Sequence, residues 1–332
     1  MAWNSIWSAL LPVLCALGSC AEHPTNASLQ RELLDKSKEG LVLATFAAPS
    51  ETALEVDDFA GRRQMLPINC CTLTNGRTIS RNHIVLVDMT SAPKLDALRD
   101  PVGFVAGLPA YGGPVVALDT NGVVVARSIA RFSPVVVSLS PDLEHFALMG
   151  LPLGHPNWPR GVNIGAFHEK EPRSLLPFKV AEHYERPEFT PVLDWSPDGK
   201  TVLFSHQGSV FVVDAAAGES KKIADGGGAT WSPSGDWIAY ISPQSASEVR
   251  LLNVTTGAST GFETGKDSAF PIEWSPDGKY LLVSAGNDFV YGGSPWIYRT
   301  SDGAWAPAPA LQDGHLGPGM HWHWVQMETP AK

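Results

Sequence analysis

Three histidines crowd the C-terminal end of the chain: His315, His321 and His323, with Gln326 beside them. His321 and His323 are two residues apart, so on a β-strand they share one face. Two imidazoles at that spacing, joined by a third, can chelate a divalent metal. A plainer reading uses the same alternation in reverse. Trp322 and Trp324 then form the buried face of a strand, and the histidines are packed or solvated.

Four cysteines are present, and two of them are adjacent, Cys70 and Cys71. In an exported protein they would meet oxidising conditions. A vicinal disulfide would need a strained ring, whereas neighbours on a strand point to opposite faces. Both readings stay open. No C-x-x-C spacing supports a redox or metal role. One G-x-S-x-G match, Gly257-Ala258-Ser259-Thr260-Gly261, lacks the helix that a nucleophile elbow needs after it, so it reads as chance. No Walker loop and no H-E-x-x-H occurs. Asp142, Asp198 and Asp277 could pass for catalytic acids, but each sits in a repeated Ser-Pro-Asp turn, where Asp has a conformational role. Trp158, Tyr184, Tyr291 and Trp296 could line a pocket, and nothing in the sequence chooses among them.

The elements that position these residues are written three times. Leu193-Asp194-Trp195-Ser196-Pro197-Asp198-Gly199 leads into Val202-Leu203-Phe204. Ala229-Thr230-Trp231-Ser232-Pro233-Ser234-Gly235 leads into Ile238-Ala239-Tyr240. Ile272-Glu273-Trp274-Ser275-Pro276-Asp277-Gly278 leads into Leu281-Leu282-Val283. Pro presets φ, Asp suits the next position, and Gly takes the positive φ that follows. Each copy predicts a strand, a tight turn and a second strand. The second strands are apolar without alternation, which predicts a sheet packed on both faces. A third strand and a short polar fourth follow in each copy, and the repeat of about 40 residues is that of propeller blades. The motif tryptophans Trp195, Trp231 and Trp274 read as blade packing. A fainter copy lies at Val137-Ser138-Leu139-Ser140-Pro141-Asp142, where Leu143 stands in place of the glycine and predicts a different turn.

Over about residues 190–310 this hairpin resembles the WD40-like blades of the TolB family. The resemblance implies a β-propeller, and it says little of function, because one fold hosts many. Propeller polysaccharide lyases related to that family use His and Gln metal ligands, which is the setting in which His315, His321 and His323 could act.

Upstream, strands are expected at 41–47, 52–59, 64–73, 83–89, 102–107, 114–118 and 122–129, with turns at Asn75-Gly76 and Asn121-Gly122. A short helix is expected from Leu29 to Glu39, capped by Ser28, buried through Leu29, Leu33 and Leu34, and ended by Gly40. The fold class is therefore all-β, a propeller of four-stranded blades, six in number, with seven as the alternative. Met320-His321-Trp322-His323-Trp324-Val325 predicts a first strand whose blade is completed by the N-terminal region, which would leave no free sheet edge.

Residues 1–19 read as a signal peptide, with an apolar core from Ile6 to Leu17 that is too short to span a bilayer. Leu17-Gly18-Ser19-Cys20 resembles the bacterial lipobox. That resemblance implies lipidation at Cys20 and, with Ala21 rather than Asp following, the outer membrane. The segment before the apolar core has no Lys or Arg, and ordinary cleavage after Ala21 is the other reading. The organisation is then 1–19 signal peptide, 20–39 tether and helix, 40–326 propeller and 327–332 tail.

The formal charge of −10 and pI near 5.4 argue against nucleic acid and anionic membrane as partners. The expected function is an exported, periplasmic, lipid-anchored binding module for a protein or glycan at the propeller's mouth or rim. No cofactor is expected in that reading, and the membrane is met only through the anchor. The alternative is a polysaccharide lyase or hydrolase with a His-bound metal.

Overall fold

Apolar runs buried on both faces require sheets stacked against sheets. The computed structural model, which describes residues 27–46, 53–67, 74–80, 83–88, 113–152, 161–177, 192–206, 208–286, 294–308 and 322–327, has that architecture. A helix, α1 (Ala27–Lys38), comes first. Blade 1 uses β1 (Leu41–Phe46), β2 (Ala53–Asp57) and β3 (Arg63–Pro67). Blade 2 uses β4 (Thr74–Ser80), β5 (His83–Asp88), β6 (Gly113–Leu118) and the first half of β7 (Val124–Leu139). The second half of β7 opens blade 3, followed by β8 (His145–Pro152), β9 (Gly161–Ala166) and β10 (Arg173–Pro177). Blade 4 is β11 (Leu193–Trp195), β12 (Thr201–His206), β13 (Ser209–Asp214) and β14 (Ser220–Asp225). Blade 5 is β15 (Gly227–Trp231), β16 (Trp237–Ile241), β17 (Glu248–Asn253) and β18 (Ser259–Glu263). Blade 6 is β19 (Ser268–Trp274), β20 (Tyr280–Gly286), β21 (Ser294–Arg299) and β22 (Trp305–Pro307). The last strand, β23 (His323–Gln326), returns to blade 1 as its first strand.

The chain therefore closes one plus three. Leu41, Val42, Leu43 and Ala44 of β1 pair with Gln326, Val325, Trp324 and His323 of β23. Met327 extends the contact by donating its amide to the Gly40 carbonyl at 2.9 Å. Blades 2 and 3 form one seven-stranded sheet because β7 serves both. Register shifts against β6 and β8 let it leave one blade and enter the next.

Each blade–blade seam holds its own apolar cluster, and the six clusters run round the ring. Val42, Ala44 and Val325 meet Ile84 and Leu86 between blades 1 and 2. Val115 and Ala117 meet Phe146 and Leu148 between 2 and 3. Ile164 meets Trp195 between 3 and 4, and Leu203 meets Trp231 between 4 and 5. Val249 meets Trp274 between 5 and 6, and Leu282 meets Trp324 between 6 and 1. Successive residues of a second strand serve opposite seams: Val202 and Phe204 face blade 3, while Leu203 faces blade 5. That division is why these strands carry no polar alternation.

The helix is bonded to the closure. Leu29 and Leu33 are fully buried among Leu41, Leu43, Tyr280, Ile297 and Trp324, so α1 covers the seam between blades 6 and 1. Glu32 accepts from the Tyr280 hydroxyl at 2.5 Å and pairs with Arg299. The Tyr280 hydrogen bond, with the Arg299 charge beside it, holds the Glu32 carboxyl below its usual range although burial opposes this. Gly40 ends the helix at φ +90°.

Three local expectations are corrected. Ser28 does not precede the helix; it lies in its first turn, and its hydroxyl meets Arg299 at 3.3 Å. Asn75-Gly76 is not a hairpin turn; it lies inside β4, where the register against β5 shifts between Asn75 and Thr78, so the glycine marks a bulge. The turn at Leu143 does not differ from its relatives. Leu143 itself adopts φ +59° and repeats the turn hydrogen bond to Ser140. Asn121-Gly122 does turn, with the Asp119 carboxylate accepting from the amides of Asn121 and Val123 at 2.9 Å each. The strand expected at 102–107 lies outside the described residues.

Candidate functional site

Antiparallel pairing sorts the connections onto two faces. Links from first to second strand and from third to fourth emerge on one face. Links from second to third strand, and from each fourth strand to the next blade, emerge on the other. Among the described residues the first set is short and tight: 58–62, 119–123, 140–144, 167–172, 196–200, 215–219, 232–236, 254–258, 275–279 and 300–304. The long connections, 89–112, 153–160, 178–192 and 309–322, all belong to the second set. The two faces are called the turn face and the loop face below. α1 belongs to the turn face, since Glu32 and Ser28 meet Tyr280 and Arg299 where β20 starts and β21 ends.

The turn face is built of closed hydrogen-bond circuits. Ser196 Oγ donates to Asp198 at 2.7 Å and accepts the Thr201 amide at 2.9 Å; the Lys200 amide donates to the same carboxylate at 3.1 Å. Ser275, Asp277, Lys279 and Tyr280 repeat the circuit at 2.7, 3.1 and 2.9 Å. Gly199, Gly235 and Gly278 take φ of +71°, +78° and +71°. A β-carbon on each would lie 3.5 to 3.7 Å from Pro141, Pro197 and Pro233 of the preceding blade's turn, so the turns stack round the ring. Asp142 belongs to this system. Burial would raise its carboxyl, but the Ser140 hydroxyl, the Glu144 amide and the His145 ring together lower it to about 2. Asp142, Glu144 and His145 also form the one metal-capable cluster found among the described residues, yet two are exposed and Asp142 is already engaged by its own turn.

The innermost strands carry a second polar system. First strands of successive blades touch, β7 with β11, β11 with β15, β15 with β19 and β19 with β23. The acidic residue before two of the motif tryptophans reaches across to the next blade. Asp194 Oδ2 accepts the Trp231 amide at 2.8 Å and the Thr230 hydroxyl at 3.1 Å. Glu273 Oε2 accepts the Trp324 amide at 3.1 Å. Trp324 thus stands where Trp231 stands, and the closing strand is held by the same carboxylate-to-amide link.

His323 occupies the position before its tryptophan, and its Nδ1 lies 3.3 Å from Glu273 Oε2. Trp322 and Trp324 are buried at 3% and 1% exposure, as the plainer reading of this strand requires. His315 and His321 lie outside the described residues, as do Cys20, Cys70, Cys71, Trp158, Tyr184 and Tyr291. Asp194 and Glu273 were not singled out from sequence. The available signal was a polar residue, Asp194, Thr230, Glu273 or His323, standing beside each inner tryptophan.

The outer strands of blades 5 and 6 pack two stacked aromatic pairs into their seam. Trp305 is buried, and Tyr298 and Trp305 flank the 300–304 turn of the turn face, while Trp296 lies near the loop-face start of β21. Trp296 stacks on Trp305 with centroids 5.0 Å apart, and Phe262 stacks on Tyr298 at 3.9 Å. Lys266, on the connection from β18 to β19, places its ammonium 5.2 Å from the Trp296 ring centre.

No family model and no curated protein matches the chain. Solved structures do. A TolB crystal structure from Acinetobacter baumannii superposes with a TM-score of 0.55 at 15% identity over 85% of this chain and 66% of that one. A TolB candidate from Agrobacterium tumefaciens gives 0.54 at 13% identity over 87% and 98%. The chain has the β-propeller fold of these TolB structures. A chain of a nidogen/laminin complex gives 0.52 at 10% identity over 85% and 98%. Likeness at these identities concerns the fold alone.

Proposed function

We propose that this TolB-like propeller is an exported, lipid-anchored binding module that takes a protein or glycan ligand on its loop face. The observation that carries the reading is the division of the connections. The four longest connections all join strand ends on one face of a ring whose other face is closed by circuits of turn hydrogen bonds. Long loops on a rigid scaffold are where recognition residues concentrate. Trp296, partly buried near the loop-face start of β21 with Lys266 over its ring, suits either ligand class, since Trp offers area at small entropic cost. The lipobox-like Leu17-Gly18-Ser19-Cys20 supports export and anchoring at Cys20, with the periplasmic side of the outer membrane as the location.

The test is photo-crosslinking in intact cells, with the reactive residue placed at Ala246 on the loop face or at Thr255 on the turn face. Adducts of one defined protein or glycan at Ala246, lost on Trp296→Ala, are expected. Adducts confined to Thr255 contradict the loop-face assignment. Shortening of a polysaccharide by the purified protein, abolished by a chelator, replaces the binding module with the enzyme.

A further inference from the structure

We infer that the turn face is the membrane-facing surface and that the loop face is held away from the bilayer. This orientation rests on the proposed anchor at Cys20 and adds to it what the fold does with such an anchor. The position of α1 is set by the ring and not by the tether. Leu29 and Leu33 are fully buried across the blade 6–1 seam. Ser28 and Glu32 are bonded to Arg299, and Glu32 also to Tyr280. The first helical residue, Ala27, therefore leaves the ring at the turn-face end of blade 6.

Chain length then limits the geometry. Cys20 precedes Ala27 by seven residues. Fully extended, these reach at most ~25 Å. A six-residue strand spans ~20 Å from one face to the other. With the turn face down, the tether is slack and the ring can lie close to the headgroups. With the loop face down, nearly all of the tether is consumed in passing the blade. Only ~5 Å then remains, which would press the strand ends of that face against the headgroups. The inverted orientation is disfavoured by length alone.

The surface that results is not a strongly basic one. Arg31, Lys36, Lys38 and Lys279 alternate with Asp35, Glu39 and Asp277, several of them paired, as Lys36 with Glu39 and Lys38 with Asp35, both at 2.6 Å. The turn face is thus placed at the membrane by the tether, without charge attraction to anionic lipid.

The test uses the full acylated protein purified from cells and reconstituted in vesicles of phosphatidylethanolamine and phosphatidylglycerol carrying an energy-transfer acceptor on the headgroup. A donor is attached at Ser301→Cys on the turn face or at Ala246→Cys on the loop face, in a Cys70→Ser/Cys71→Ser background whose melting matches the parent. Transfer several-fold greater from position 301 than from position 246 is expected. Equal or reversed transfer with acylated protein overturns the orientation and leaves the anchor standing. Mass spectrometry showing no acyl group on Cys20 overturns the anchor, and the orientation falls with it.

Discussion

At the scale of single residues, the acids that resemble catalytic groups are spent on backbone. Asp198 and Asp277 each accept from a serine hydroxyl and an amide inside one turn, and Asp194 and Glu273 accept amides across a seam. Replacing Gly199 or Gly278 by Val should cost about 1–3 kcal/mol, because a β-branched residue is strained at positive φ. Chemical denaturation checks this, and unchanged midpoints in both variants would speak against the turn. Asp194→Ala leaves the Trp231 amide and Thr230 hydroxyl without their acceptor and should lose about 1–3 kcal/mol.

For Asp142 the sign follows from its depressed pKa. Its stabilisation is complete above the unfolded value near ~4 and disappears as pH falls through about 2. The melting gap between the wild type and Asp142→Asn should therefore be widest above pH ~4 and close toward pH ~2. A gap that does not change with pH would contradict the circuit. Leu143 shows where residue-level reading fails. Its positive φ is not written in a leucine, yet its amide donates to the Ser140 carbonyl as the Gly199 amide does to Ser196.

At the scale of elements, the apolar second strands were legible because burial on both faces leaves no polar alternation to misread. Strand boundaries within the repeats follow from the turn chemistry. Asn75-Gly76 misleads because the same dipeptide suits a hairpin and a bulge, and only pairing with β5 decides between them. The two halves of β7 were legible as the strand at 122–129 and the hairpin copy from Val137, but not that one unbroken strand joins them. Ser133-Pro134 sits inside it at a register shift and does not turn the chain. The helix was legible from Leu29, Leu33 and Leu34, but its seat on blades 6 and 1 was not. It depends on Tyr280 and Arg299, some 250 residues away. Leu33→Ala should cost about 2–5 kcal/mol, the loss expected for a fully buried leucine. A change below ~0.5 kcal/mol, as an exposed site would give, would show that α1 does not hold the seam.

At the scale of the whole molecule, ring, blade count and closure follow from the repeats, while the inner polar ring and the division into two faces needed the strand order. The ligand is not legible, because the segments that would choose it are the long connections, and those carry no repeat. The central claim is that β23 from the C-terminus completes a blade begun at the N-terminus. Without it, the edge of β1 and the apolar residues of two seams would meet water, Leu43 and Tyr280 on one side and Val42 and Leu86 on the other. The direct measurement compares the melting temperature and hydrophobic-dye binding of two truncations. Deleting residues 319–332 should lower the melting temperature sharply and raise dye binding, whereas deleting 328–332 should leave both as in the full chain. Equal melting temperatures for the two truncations would contradict the closure.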